Sequence, residues 1–277
     1  MSYLLPAAVL MLMLSVGMSL KLREIIANWR RLTVSQWARL LLATFILPPL
    51  IALALAQVLP LERPAMAGLF LVAIAPGAPL MTRGVAKRGF DMQMAASYQV
   101  WGAVMIPIMI PLLVALVGKL YQRDIWIPPH TLLLLIAKQQ LAPLFAGMLL
   151  MRFFPQFSIR ARRALNLLGN AVLTLCLIAL LWRLGPVLLK SSPWLPVAAL
   201  LLAVGCLLVS RALLSNATPG VQTLVISNVN RHVGLALLLS GSYLHNRNCL
   251  PAIACYAFAA PLVMGVYAKI ARRRIPV

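Results

Sequence analysis

The chain has 277 residues, 62% of them hydrophobic and only 10% charged, with a mean hydropathy of +0.94. Soluble globular domains carry about 25% charged residues, so composition excludes that class and points to an all-α polytopic membrane protein. Lys and Arg number 25 against four Asp and Glu, a formal charge of +21. Because the basic residues fall mostly between apolar runs, this excess speaks for membrane topology and lipid partners and not for nucleic acid.

About 20 apolar residues are needed to cross the hydrocarbon core, and scanning on that length predicts about nine transmembrane helices. The first lies near 2–20. The N-terminal stretch "MSYLLPAAVLMLMLSVGMSLKLR" lacks a basic leader and a small-residue cleavage site, so it reads as a retained span and not a signal peptide. Segment 21–38 is basic and carries Trp29 and Trp37, which suits an interfacial loop or short helix. Spans near 39–58 and 65–82 follow. The second of these contains Ala75-Pro76-Gly77-Ala78-Pro79, then Met81, Thr82 and Arg83, a stretch built to interrupt helical hydrogen bonding.

Further spans are predicted near 93–118 and 131–151. Lys138, in "IAKQQLAP", either snorkels outward or joins Gln139, Gln140 and Pro143 in a polar, bent element. Spans near 164–182 and 194–214 precede an eighth near 218–241, whose centre holds Ser227, Asn228, Asn230, Arg231 and His232. An arginine at mid-depth alone costs about 2.5–3.5 kcal/mol on insertion scales. The ninth span lies near 250–270.

Placing the C-terminus in the cytoplasm puts 17 basic residues inside and six outside, with Lys138 and Arg231 on neither side. That split follows the positive-inside rule and sets the N-terminus outside, in a bacterial inner membrane. No extramembrane segment is long enough for a soluble domain, so residues 1–277 read as one transmembrane domain. Cys176, Cys206, Cys249 and Cys255 are scattered without ligand spacing and read as packing residues, so no metal and no cofactor is expected.

Paired interrupted spans in corresponding halves point to a transporter site at the bilayer midplane. The spacing from Gly77 to Pro107 and from Arg231 to Pro261 is 30 residues in both cases. Arg83 is open to two readings, a cytoplasmic flank with Lys87 and Arg88 or a site residue. His232 reads either as a helix–helix hydrogen-bonding group or as a proton relay. The acids Glu24, Glu62, Asp91 and Asp124 all fall in loops or at membrane boundaries, so no carboxylate is expected at mid-depth.

Four stretches resemble the bile acid:sodium symporter family, whose fold is shared with sodium/proton antiporters. They are "MLSVGMSL" (13–20), "ILPPLIALAL" (46–55), "APGAPLMTRGVAKRGFD" (75–91) and "RHVGLALLLSGSY" (231–243). The resemblance implies two inverted repeats, about 1–118 and 130–277, each with a broken crossing helix, the first helix of the fold being absent here. It also exposes departures. The family's Ser-Asn sodium ligands after the first break fall on Met81-Thr82. Its glutamate and Gln-Asn pair in the second crossing helix fall on Ser227 and on Arg231-His232. Sodium wants hard oxygen ligands and usually a carboxylate, so sodium coupling is not expected to carry over.

The resulting expectation is a secondary transporter of a small organic anion. Its substrate-binding residues are Pro76, Gly77, Pro79, Thr82, Arg83, Ser227, Asn228, Asn230, Arg231 and His232, with Arg231 offering a bidentate partner to the anion. Proton coupling, uniport and exchange all suit such a site. A membrane enzyme is disfavoured by four acids and three histidines (His130, His232, His245) in unrelated places. A non-transporting sensor or assembly subunit would normally bring a soluble domain or a long tail.

Overall fold

Apolar runs free of interior acids become helices wherever backbone amides can pair along the chain, and prolines decide where they cannot. The computed structural model describes residues 4–78, 81–120, 128–190, 192–214, 219–241 and 247–272, and among these every named element is helical. Helix α1 is Leu4–Gly17 and α2 is Leu22–Arg31, followed by α3, Val34–Leu41. Thr33 starts α3 through a reciprocal capping box with Gln36. A π turn at Leu42–Ile46 carries α3 into α4, Leu47–Val58.

α5 (Arg63–Ile74) and α6 (Met81–Lys87) are separated by the first break. α7 is Met92–Leu120, its first amides held by the Asp91 carboxylate, which accepts from Gln93 N at 2.8 Å and Met94 N at 3.2 Å. α8 (Pro129–Ile136) passes through a second π turn, Ala137–Leu141, into α9, Ala142–Phe153. α10 is Pro155–Lys190 and α11 is Trp194–Leu213. α12 (Pro219–Val229) and α13 (Val233–Leu239) flank the second break, and α14 (Leu250–Arg272) follows a 3-10 turn at Arg247–Cys249.

Among the described residues, five helices are long and apolar enough to cross a membrane: Val34–Val58, Met92–Leu116, Pro129–Phe153, Trp194–Leu213 and Leu250–Ala271. The predicted spans at 65–82 and 218–241 are each a pair of short helices around a break. The first pair continues past Arg83 to Lys87, so Arg83 lies within the second half of the broken segment. The basic stretch 21–38 folds as the two short helices α2 and α3. Lys138 is exposed on its π turn, as a snorkelling side chain would be.

Packing divides the helices into two groups. α1 lies against α9 and α10. A Cβ on Gly17 would come within 2.1 Å of the Leu144 carbonyl, and one on Gly147 within 2.2 Å of the Leu14 carbonyl, so both glycines are there for backbone approach. In the second group α11 packs on α14, α12 and α4, and α5 on α14 and α4. The larger hydrophobic core fills this second group, and a smaller one around Met13, Ile25 and Val100 joins α1, α2 and α7.

Candidate functional site

The two breaks meet. Pro76 and Arg231 form an antiparallel bridge. His232 N–H donates to the Ala75 carbonyl at 2.7 Å, and Ala78 N–H to the Asn230 carbonyl at 3.4 Å. Two segments that cannot satisfy their amides within a helix therefore satisfy one another. The bonds run through the neighbours of Pro76, so its missing N–H leaves no gap. Gly77 has φ of +73°, and a Cβ there would meet nothing closer than the Gln99 carbonyl at 3.8 Å. Glycine is required by backbone conformation and not by space.

Above this crossing sits a π turn whose carbonyls lack helical donors. The Leu47 amide bonds to the Leu42 carbonyl five residues back, leaving the Ala43 carbonyl open. The Thr44 carbonyl has Pro48 and Pro49 at the two positions that could have donated to it. Side chains from the second break take both acceptors. Asn228 Nδ2 donates to the Ala43 carbonyl at 2.8 Å, and Arg231 Nη1 to the Thr44 carbonyl at 2.7 Å.

Asn228 Nδ2 also reaches Ser210 Oγ, and Asn228 Oδ1 accepts from the Tyr98 hydroxyl at 2.8 Å. Ser210 donates to the Cys206 carbonyl at 2.6 Å, and Tyr256 to the Val229 carbonyl at 2.7 Å. Arg231 is 1% exposed, its Nη2 lies 3.6 Å from Cys206 Sγ, and its Nε has no partner.

Two residues of the sequence expectation stand in defined surroundings. The Arg231 guanidinium is engaged by the Thr44 carbonyl and Cys206 Sγ and is sealed from solvent. His232 is also buried, and its Nδ1 accepts from Leu235 N–H at 2.9 Å, capping α13. An Nδ1 lone pair used as an acceptor holds the ring in the neutral form protonated at Nε2.

Thr82 and Ser227 are fully buried and their hydroxyls have no partner. Arg83 is partly exposed and donates from Nη1 to Asn170 Oδ1 at 3.2 Å on α10. Asn230 is partly buried beside α6, its Nδ2 3.8 Å from where a Cβ on Gly84 would stand. Pro79, Asp124 and His245 lie outside the described residues. The structure thus brings Pro76, Gly77, Asn230, Arg231 and His232 to one junction, with Ser227 and Asn228 on the last turn of α12 and Thr82 and Arg83 on the first turn of α6.

Thr44, Tyr98, Asn170, Cys206, Ser210 and Tyr256 were missed from sequence. For Thr44 a signal existed: two prolines four and five residues on announce an unpaired carbonyl. α10 adds a polar face with Arg162, Asn166 and Asn170 one turn apart. Ser15 donates to Asn166 Oδ1 at 2.6 Å, and Arg162 Nη1 to Ser19 Oγ at 3.1 Å. No group of three metal-ligating side chains occurs among the described residues.

A family model described as Sodium Bile acid symporter family matches residues 6–191. The match is about two-thirds of the chain and includes the first break, ending just past α10. No curated protein matches the chain.

Proposed function

We propose, from the premise that this chain belongs to the sodium bile acid symporter family, that it is a secondary transporter moving a small organic anion by alternating access at the crossed breaks, without sodium. The chain is an integral membrane protein of a transporter family for such anions. In this reading nine segments cross the bilayer in two inverted repeats, about 1–118 and 130–277, with the N-terminus outside and the C-terminus cytoplasmic. The observation that carries the proposal is the buried Arg231 guanidinium donating to the Thr44 carbonyl at the crossing. A monovalent cation 4 Å from that charge would meet a repulsion of about 4 kcal/mol at an effective dielectric of 20. The same field favours an anion.

The groups left to meet the anion are the Thr82 and Ser227 hydroxyls, the Asn230 amide and the Arg83 guanidinium, whose one hydrogen-bonding partner seen here is neutral. Arg231 supplies potential and Arg83 the direct contact. Proton exchange through His232 fits less well, because its Nδ1 already holds the start of α13.

The test is flux of an organic anion into proteoliposomes, with sodium replaced by potassium or choline at fixed ionic strength. Uptake is expected to be unchanged by the replacement. Arg83→Gln should weaken apparent affinity by about tenfold or more, the loss of one charge-assisted hydrogen bond, with little change in thermal stability. A saturable sodium requirement would overturn the uncoupled reading, and unaltered affinity in Arg83→Gln would remove that residue from the site.

A further inference from the structure

Arg162, Asn166 and Asn170 lie four residues apart on α10, which puts their side chains on one face. The first two serve α1 and the residues just after it. Arg162 Nη1 donates to Ser19 Oγ at 3.1 Å, and Asn166 Oδ1 accepts from Ser15 at 2.6 Å. Gly169 is pressed to the same helix, since a Cβ there would come within 2.7 Å of the Leu12 side chain. Asn170 does not follow them. Its Oδ1 accepts from Nη1 of Arg83, on the first turn of α6, at 3.2 Å.

That hydrogen bond crosses from one group of helices to the other. α10 packs on α1 and α9, whereas α6 packs on α7 and α12. Met81 and Val85 of α6 belong to the larger hydrophobic core, and no described residue of α10 belongs to either core. The attachment between α6 and α10 is therefore polar, and one polar partner can be exchanged for another. Arg83 and Asn170 are both only partly buried, so a solute has access to the pair.

What can replace Asn170 follows from the chemistry of Arg83. Among the described residues Arg83 pairs with no carboxylate, the one ion pair being Lys21–Glu24. A hydrogen bond between two charged groups is about twice as strong as a neutral one. A carboxylate or sulfonate reaching Arg83 therefore displaces an amide carbonyl, where it would not displace an aspartate.

We propose that Asn170 is a latch between the two helix groups and an internal competitor of the substrate. Its side-chain carbonyl holds the Arg83 guanidinium, and an organic anion releases α6 from α10 by taking that place. This rests on the reading of Arg83 as the anion's direct contact.

Hydrogen exchange of the full-length protein in detergent, followed by mass spectrometry with no anion added, tests the latch. Asn170→Ala should speed exchange of the Met81–Lys87 amides about tenfold and leave those of Ala142–Phe153 unchanged. Asn170→Asp, which puts an ion pair in place of the amide contact, should slow exchange at Met81–Lys87. In an Arg83→Met chain, which keeps the stem without the donors, neither substitution should have an effect. Competition is read in proteoliposomes with cholate, a bile acid of the class for which the family is named. Asn170→Ala should lower the apparent KM about three- to tenfold, and Asn170→Asp should raise it while lowering the maximal rate.

Equal exchange in all chains would overturn the latch. So would faster exchange spread over Ala142–Phe153 as well, or Asn170 effects that persist in Arg83→Met. A raised KM in Asn170→Ala would make Asn170 a support of the bound anion and overturn the competition. Absence of cholate uptake by the unaltered chain would count against the transport reading and not against the latch, which exchange decides without any anion.

Discussion

Removing the Arg231 guanidinium strips the Thr44 carbonyl of its donor, and Pro48 and Pro49 ensure that the helix cannot supply another. Arg231→Gln should therefore destabilise the protein by about 1.5–3 kcal/mol, the worth of a hydrogen bond to a charged group, less whatever is regained from no longer burying a charge. Arg231→Lys should lie between, since an ammonium keeps the charge but not the planar fork that reaches Thr44 and Cys206 together. Thermal unfolding of both variants beside anion affinity is the measurement. Unchanged stability with a large loss of affinity would reverse the assignment and make Arg231 a direct substrate ligand. The sequence made Arg231 conspicuous because charge topology left it unexplained. It could not reveal the partner, since a carbonyl 187 residues away becomes an acceptor only when a π turn frees it.

Helices tell a similar story one level up. The breaks after Ile74 and after Val229 were legible, because proline, glycine and clustered polar residues forbid a continuous lipid-exposed helix. The extent of α10 was not: Arg160, Arg162 and Arg163 fall between the predicted spans at 131–151 and 164–182, yet the helix runs through them from Pro155. Charges end a membrane span, whereas only backbone chemistry ends a helix, and Arg162 finds Ser19 as a partner. The glycine pair at the α1–α9 contact is likewise specific to the folded pair. Gly147→Val should separate these helices and lower stability by about 1–3 kcal/mol, as overpacking of a tight contact does. Gly265→Val, at a position where an added Cβ meets nothing within 4 Å, serves as the control and should be nearly silent. Equal effects in thermal unfolding would show that the α1–α9 approach is not the cause.

At the scale of the molecule, composition alone was enough for an all-α membrane protein, because no soluble core needs 62% hydrophobic residues with so few charges. Which helices pack together was not readable. In lipid an apolar surface does not distinguish protein from acyl chain, and small residues and backbone approach make the choice instead. Orientation is a matter of charge, and the proposed topology can be tested directly. Reporter fusions should place residues 152–163 and the C-terminus in the cytoplasm and residues 119–129 outside. A C-terminus outside would overturn both the number of crossings and the proposed orientation.

The joint between the two breaks is made from the Ala75 and Asn230 carbonyls and the His232 and Ala78 amides, groups that nearly every amino acid carries. Proline at 78 or 232 would undo it, but most other replacements would not. The joint itself is thus main-chain chemistry, helped by Gly77 at its left-handed position and by the Arg231 tether to Thr44. The side chains at 82, 83, 227 and 230 take no part in those main-chain bonds, so on the proposed transport reading a new cargo would be within reach of a few substitutions. Transplanting hydroxyl, amide or cationic groups among those four positions would retarget the carrier without a new fold having to be found.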